Sequence, residues 1–359
     1  MQARQKQIES LTGLRGVAAS WVMLMHFREV TPTRLYQFPI IDSIIANGAY
    51  GVDIFFVLSG FVMSYVYAKT FATGWRKSET RRFLIYRFAR IYPVHLATFG
   101  FMMALFAAHA LASGSNGLPG RYGMLTAVSS LTLTNAWIPG VQTPNMPAWS
   151  VSAEWFAYLA FPLLCRLASY TRWILVLYVM AGLGIALFDP LENYCLTHVL
   201  SGFLLGIVTY RMMPGLRRLN VGRCVGPIIA ASIACWAWKP GPPLAVGLLL
   251  FATLIPILTN PRDILSQSLS TRPLVHLGEI SYSIYMVHWP IRVVLRYSLQ
   301  LTGWLELIPS PLLVCAYLTA TMIFATLSYH YVELPGRTLL RGAVSWHEKR
   351  QVSPVALPE

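Results

Sequence analysis

Two long segments of this chain contain no charged residue, and they constrain its fold more than any other feature. From Ile91 to Gly120, and again from Leu307 to Val332, the sequence has no Asp, Glu, Lys or Arg. Of its 359 residues, 55% are hydrophobic and only 12% are charged, against roughly 25% charged in a soluble domain. A water-soluble protein has too little interior to bury so much apolar chain. The pattern predicts an all-α, polytopic membrane protein and excludes a disordered chain, a coiled coil or a secreted scaffold.

Apolar segments of about 20 residues, the length that spans the hydrocarbon core of a bilayer, recur along the chain. Ten transmembrane helices are predicted, at 8–28, 49–68, 88–112, 150–168, 172–189, 195–212, 224–239, 243–259, 280–299 and 310–332. Segment 125–138 is a weaker candidate, because its Ser and Thr content favours a re-entrant or peripheral position.

The distribution of Lys and Arg predicts the orientation of these helices. With the N-terminus in the cytoplasm, 21 of the 28 basic residues fall in cytoplasmic segments, six fall outside, and Arg15 lies within the first span. Both termini are therefore predicted to be cytoplasmic. Residues 8–341 are expected to form a single integral membrane domain, followed by a short cytoplasmic tail at 342–359. A cleaved signal peptide is disfavoured because Arg15 interrupts the first apolar run.

The net charge of +14 does not indicate a nucleic-acid partner. The basic residues lie between apolar segments, without a nucleic-acid motif or a basic face interleaved with aromatic residues. The five cysteines fall in or beside apolar segments and show no CxxC or Cys/His ligand spacing. They are interpreted as core residues, and no metal site is predicted.

The first span carries two ionisable residues, Arg15 and His26, and such residues within a membrane are functional candidates because burying them is costly. Eleven residues at 100° each bring both side chains to one helix face, about 16 Å apart along the axis. This spacing predicts a groove with a cation toward the cytoplasm and an imidazole toward the outside. The alternative interpretation is a snorkelling arginine and a hydrogen-bonded core histidine.

Three further ionisable residues are assigned to the outer half of the membrane. Asp53 and Glu154 lie near the starts of the second and fourth spans, and His288 lies near the end of the ninth. A histidine with a nearby carboxylate is suited to general-base catalysis. Each carboxylate alone is also explained as a favourable charge at a helix N-terminus, and Trp289-Pro290 after His288 as a helix kink.

A dense basic run on the cytoplasmic side contains Arg87 and Arg90, three residues apart on one helical face. The positive-inside bias alone explains a basic loop, but arginine is also the usual residue for holding a phosphate. Together with Arg15, these residues suggest a phosphorylated donor that enters from the cytoplasm.

Six motifs follow one another in order along the chain. They are Leu11–Ala19 (LTGLRGVAA) with His26-Phe27, Gly51–Phe61 (GVDIFFVLSGF), Arg87–Pro93 (RFARIYP), Trp149–Glu154 (WSVSAE), Leu277–His288 (LGEISYSIYMVH) and Glu333–Pro335 (ELP). From Leu11 to about Arg341, the chain resembles the acyltransferase-3 family of integral membrane acyltransferases. Many relatives have a second acidic residue after the motif glutamate, where this chain has Trp155, so only Glu154 is carried over.

The resemblance implies an O-acyltransferase of the bacterial inner membrane. Its donor is expected to be an acyl-CoA, commonly acetyl-CoA, and its acceptor a hydroxyl group of an extracytoplasmic carbohydrate or glycolipid. Polysaccharide, lipopolysaccharide, peptidoglycan and lipo-oligosaccharide are typical acceptors, and macrolides and lipids also occur. Some relatives append a soluble SGNH-type domain. None follows Glu333 here, so the membrane domain is expected to act alone or with a separate partner.

The resemblance also implies a role for each matching residue. Arg15, Arg87 and Arg90 are expected to bind the acyl-CoA, and His26 is expected to act as general base or to carry a covalent acyl group. Glu154 and Asp53 are expected to orient His26, and hydroxyl groups around Ser59 and Ser150 to stabilise the oxyanion. The predicted substrate contacts are Trp149, Ser150, Tyr285 and His288.

Two other classes of protein fit the same pattern. A transporter or exporter of sugars or lipid-linked intermediates also has about ten helices with buried ionisable residues. A non-catalytic scaffold for polysaccharide assembly is the third interpretation, and it predicts that substitutions of Arg15 and His26 are silent. No oligomeric state is predicted.

Overall fold

The secondary structure of the chain is helical. The computed structural model describes residues 8–28, 39–72, 74, 76–112, 122–188, 194–218, 232, 234, 243–303, 308 and 310–351. Within these ranges there is no β-strand, which confirms the predicted all-α class. Helices suit a lipid environment because each one satisfies its backbone hydrogen bonds internally.

The helices are numbered in chain order. The first seven are α1 (Glu9–Arg28), α2 (Pro39–Ala46), α3 (Tyr50–Ala72), α4 (Lys77–Ala112), α5 (Met124–Leu131), α6 (Ala148–Tyr170) and α7 (Arg172–Phe188), with a 3-10 turn at Asn135–Trp137. The others are α8 (Tyr194–Arg218), α9 (Leu244–Leu258), α10 (Ile264–Leu269), α11 (Arg272–Glu279), α12 (Ser281–Leu301), α13 (Ser310–Ser328) and α14 (Leu334–Gln351). A π-helical turn at Tyr329–Glu333 joins α13 to α14.

Five of the described helical segments are long and apolar enough to cross a bilayer. They are α3, α4, α6, Cys195–Gly215 within α8, and Pro311–Gly342, which runs from α13 into α14. Helices α7 and α9 are also apolar but have only 17 and 15 residues. These segments support a membrane protein, whereas the number of ten spans and the position of the termini stay predictions.

The other predicted spans have different outcomes. Segments 8–28 and 280–299 form α1 and α12, which carry charged residues and are not among the five segments that are long and apolar enough to cross a bilayer. The predicted span 224–239 lies outside the described residues, apart from two isolated positions. The weak candidate 125–138 forms the eight-residue α5 and the 3-10 turn. An eight-residue helix is about 12 Å long, too short to cross the hydrocarbon core.

Helix α1 packs against α3, α11 and α12, and small residues allow the close approach. Gly51 of α3 lies against the carbonyl group of Ala18, and Gly16 of α1 lies against the backbone of Leu277 and Gly278. Because α1 has neighbours on several sides, its ionisable side chains face protein. His26 is only 4% exposed, and Arg15 lines an internal cleft.

The contact between α1 and α11 is tested by Gly278→Ala. A Cβ atom at this position would overlap the carbonyl oxygen of Thr12, and a backbone atom cannot move aside as a flexible side chain can. We expect a loss of about 1–3 kcal/mol in the free energy of unfolding and a lower thermal midpoint in detergent. Gly184→Ala on α7 is the matched control, because its Cβ would meet nothing within 4 Å. Equal midpoints for the two variants would contradict this packing.

Helix α14 runs antiparallel along the first half of α4. Gly336 packs on Pro93. Toward the C-terminus of α14 and the N-terminus of α4, the guanidinium group of Arg341 lies over the ring of Tyr86. The helix continues to Gln351, so the predicted boundary between the membrane domain and the tail at 341 falls within a helix. This packing brings α14 beside the basic part of α4.

Candidate active site

A cleft between α1, α3, α4, α6 and α12 contains most of the predicted site residues. Its space amounts to about 810 Å³ when the open mouth is included. The predicted donor-binding residues Arg15, Arg87 and Arg90 all line it, although they come from two different helices. Of the predicted substrate-binding residues, Ser150 and Tyr285 line it as well.

The positive charge of this cleft is poorly compensated by the protein itself. No ion pair involves Arg15, Arg87 or Arg90 within the described ranges, and the guanidinium group of Arg87 only donates a 3.4 Å hydrogen bond to the Tyr67 hydroxyl. Glu154 is the one carboxylate among the described lining residues. Three guanidinium groups against one carboxylate leave a net positive site, and guanidinium groups bind phosphate and carboxylate well.

Glu154 is held by two hydroxyl groups of the cleft. Its Oε1 atom accepts hydrogen bonds from Ser59 at 2.8 Å and from Tyr158 at 2.5 Å. Its electrostatic partners include Arg15. The carboxylate therefore belongs to the arginine-lined cleft and does not hydrogen-bond to His26, which corrects the predicted orienting role.

Tyr285 marks the point where the cleft approaches the buried histidines. Its hydroxyl group lies 2.7 Å from the Ser150 hydroxyl and donates to the carbonyl oxygen of Pro147 at 3.1 Å. Its ring packs edge-on against His288, with 5.9 Å between ring centroids. His26 and His288 are not lining residues, so the histidine pair lies outside the cleft, and Tyr285 contacts both.

His26 and His288 form a buried, hydrogen-bonded pair. The distance between Nδ1 of His26 and Nε2 of His288 is 3.0 Å, and the rings are stacked with centroids 5.2 Å apart. Nδ1 of His288 lies 3.1 Å from the carbonyl oxygen of Ile284, one turn earlier in α12. The structure thus gives His26 a histidine as its neighbour, where a carboxylate was predicted.

These contacts determine which nitrogen atoms carry protons when both rings are neutral. The Ile284 carbonyl can only accept, so Nδ1 of His288 must be the donor and its Nε2 the acceptor. Nδ1 of His26 then donates to that acceptor, which leaves the lone pair on Nε2 of His26. No hydrogen-bond partner for this Nε2 exists in the described part of the chain. The arrangement presents His26 as a base with a fixed tautomer.

Asp53 belongs to a second buried pair. Its Oδ1 atom lies 2.6 Å from Nδ1 of His198 on α8, and its Oδ2 atom is buried without a hydrogen-bond partner. Trp149, another predicted substrate contact, packs on His198 and Phe56 and does not line the cleft. Asp53 was predicted to orient His26, but in this structure its side chain points toward α8 instead of α1.

His198 is absent from the predicted site, although the rule that selected His26 applies to it. It is an ionisable residue within the predicted span 195–212, next to Thr197. Arg292 is also an ionisable residue within a predicted span, 280–299, and it too was left out of the predicted site. It is buried on α12, with its guanidinium carbon 4.3 Å from the centroid of the Trp289 ring. Among the described residues, no group of three or more His, Cys, Asp or Glu is arranged to hold a metal ion.

The comparisons with known proteins give one consistent family. The sequence profile of the acyltransferase-3 family, described as an acyltransferase domain, matches residues 8–330. The acyltransferase MdmB of Streptomyces mycarofaciens is 30% identical over 341 residues, which cover 84% of this chain and 83% of MdmB. The peptidoglycan O-acetyltransferase OatA of Listeria monocytogenes is 26% identical over 378 residues, 93% of this chain but 56% of OatA. No solved structure matches the chain.

Proposed function

Because this chain belongs to the acyltransferase-3 family of membrane proteins, we propose that it transfers an acetyl group from cytoplasmic acetyl-CoA to a hydroxyl group of an extracytoplasmic carbohydrate. The observation that carries the proposal is the junction at Tyr285, where an arginine-lined cleft ends beside a buried histidine pair. Acetyl-CoA has phosphates at one end and a reactive thioester at the other. Its phosphates match the arginines of the cleft, and its thioester matches the end of the cleft beside the histidines.

The donor occupies the cleft with its phosphates toward α4. Arg87 and Arg90 bind the diphosphate, and Arg15 on α1 extends the same positive wall. These guanidinium groups have no ion pairs with described residues, so an anionic donor is attracted without breaking an ion pair among them. The thioester then reaches the hydroxyl groups of Ser150 and Tyr285, which both donate to the Pro147 carbonyl without the donor. One of them turns from this carbonyl to donate a hydrogen bond to the oxyanion.

His26 is the general base of the proposed reaction. Its Nε2 lone pair accepts the proton of the acceptor hydroxyl while the oxygen attacks the thioester carbonyl carbon. The C–S bond breaks, the CoA thiolate leaves, and the imidazolium returns its proton to the sulfur. In the second possible route, the same lone pair attacks the thioester first and forms an acetyl-histidine that the hydroxyl then cleaves. Ping-pong kinetics would identify the second route.

A carbohydrate is the acceptor class that the relatives favour. OatA is named a peptidoglycan O-acetyltransferase, and this chain spans little more than half of its length, so its acceptor is not transferred directly. Cell-surface polysaccharide, lipopolysaccharide and lipo-oligosaccharide belong to the same chemical class. The proposed location is the bacterial inner membrane, with both termini in the cytoplasm and the histidine pair toward the outside.

The proposal is tested with purified protein in proteoliposomes. Acetyl-CoA is supplied with a panel of muropeptide, chito-oligosaccharide and lipo-oligosaccharide acceptors, and released CoA thiol and acetylated product are measured together. We expect CoA release that depends on an acceptor and equals the amount of ester formed, whereas liposomes without protein give neither. Solute flux across the membrane without any acetyl transfer would instead identify a transporter.

A further inference from the structure

The positive charge of the cleft continues onto the last helix of the chain. Arg337 and Arg341 lie one turn apart on α14 and interact electrostatically with Arg90 of α4, and Arg341 also with Arg87. Both residues follow position 330, where the match to the family profile ends. Because α14 runs antiparallel to α4, Arg341 lies farther along α4 toward its N-terminus than Arg337 does, away from the cleft.

The two arginines of α14 have different surroundings. Arg337 forms an ion pair with Glu333, and the other oxygen of this buried carboxylate accepts a 2.6 Å hydrogen bond from Ser283. Arg341 has no ion pair within the described ranges, and its Nε atom is buried without a hydrogen-bond partner. Arg337 is therefore neutralised by Glu333, whereas no described residue forms an ion pair with Arg341.

Tyr86 brings a further cation to the same place. The guanidinium carbon of Arg341 lies 5.1 Å from the centroid of the Tyr86 ring, and the guanidinium carbon of Arg82 lies 5.4 Å from the same centroid. Contact with an aromatic ring stabilises a cation only weakly at an exposed site. The like charges of Arg87 and Arg90 act on Arg341 and repel it. An anion at this position would relieve the repulsion.

We propose that Arg341 binds the 3′-phosphate of CoA, with Tyr86 beside it as a platform for the adenosine. The inference rests on acetyl-CoA as the donor in the proposed function. The diphosphate occupies Arg87 and Arg90 in the cleft, so the 3′-phosphate, which lies beyond the diphosphate in CoA, falls on the side of Arg341. The same charges suit the phosphate of an anionic lipid headgroup, and the experiment separates the two sources.

The experiment compares acetyl-CoA with acetyl-3′-dephospho-CoA, which differs only in the phosphate concerned. In proteoliposomes, Arg341→Ala is expected to raise the KM for acetyl-CoA about tenfold or more relative to wild type, since a charge-assisted contact to phosphate is lost. The KM for the dephospho analogue is expected to stay within about twofold of wild type, since that donor offers Arg341 no phosphate. Arg341→Lys restores part of the affinity for acetyl-CoA, because it keeps the charge without the fork.

Arg166→Ala is the matched control. Arg166 makes the same kind of pair on α6, where its Nε atom donates to the Tyr170 hydroxyl at 2.9 Å and its guanidinium carbon lies 5.9 Å from the ring centroid. It does not line the cleft, so neither KM is expected to change. An equal rise of both KM values in Arg341→Ala, or no rise in either, would overturn the assignment.

Two further measurements separate this inference from the proposed function and from lipid binding. If wild-type protein releases no CoA from acetyl-CoA, the proposed function fails, and binding of adenosine 3′,5′-bisphosphate against 5′-AMP tests the site directly. We expect Arg341→Ala to weaken only the bisphosphate. If the variant differs from wild type only in phosphatidylglycerol vesicles, and not in phosphatidylcholine vesicles, the residue binds a lipid headgroup and the inference is wrong.

Discussion

Replacing His26 with alanine is expected to slow acetyl transfer by about 10²- to 10⁴-fold, the usual contribution of a general base. The side chain holds the Nε2 lone pair that takes the acceptor proton, and its tautomer is set by the hydrogen bond to His288. The arginines of the cleft are untouched, so the affinity for acetyl-CoA should stay near that of wild type. The measurement is kcat from CoA release, together with the Kd for acetyl-CoA.

His109→Ala, the same substitution at an exposed histidine, is the control for the loss of an imidazole group. His109 lies on α4 and is solvent- or lipid-exposed, with its ring 5.5 Å from that of Tyr297. His109→Ala is expected to keep wild-type kcat. Transfer that persists at a wild-type rate in folded His26→Ala would exclude His26 from the chemistry, and together with a silent Arg15→Ala it would favour a scaffold.

The sequence was sufficient to place Arg15 and His26 inside the protein. Their spacing puts them on one helix face, and Gly13 and Gly16 of the same helix pack closely against α10 and α11. The sequence also grouped the three arginines of the cleft. Arg15 is an ionisable residue within the first span, Arg87 and Arg90 form an RxxR pair at the cytoplasmic edge of the third span, and both features suggest a bound anion. These inferences depend on local periodicity, which a single sequence contains.

The partners of the carboxylates could not be predicted in the same way. Topology assigned Asp53, Glu154 and the histidines to one depth, but depth does not determine the direction of a side chain. Asp53 points to His198 on α8 and Glu154 to Ser59 on α3. Such pairings depend on how helices distant in sequence rotate against each other, and residues 95 and 145 positions apart carry no mutual signal in one chain.

The structure separates two chemical environments that the sequence merged into one groove. The cleft is cationic, with three arginines and one carboxylate, whereas His26 and His288 share a single hydrogen bond in a buried pair next to Trp289. This separation suits the proposed reaction, because the proposed anionic donor binds away from the proposed base, which must keep its lone pair. Tyr285 is the contact between the two environments, and the thioester has to reach it.

His288 is expected to position His26, and its two ring nitrogens have different parts in this role. Its Nδ1 atom donates to Ile284, and its Nε2 atom accepts from His26. Asparagine resembles the Nδ1 side of the ring, so His288→Asn can keep the bond to Ile284 but offers no acceptor to His26. Glutamine reaches the Nε2 position with its carbonyl oxygen, so His288→Gln can still accept from His26.

We therefore expect His288→Asn to lower kcat by about 10²-fold or more, as loss of the correct histidine tautomer does in other enzymes, and His288→Gln to stay within about tenfold of wild type. The KM for acetyl-CoA should change little in both, because His288 does not line the cleft. A merely structural role would lower the thermal midpoint and affect both variants alike. Equal kcat values for the two variants would show that the hydrogen bond to His26 does not affect the rate. A higher kcat for His288→Gln than for His288→Asn, at equal thermal midpoints, would show that the hydrogen-bond acceptor at this position controls the base.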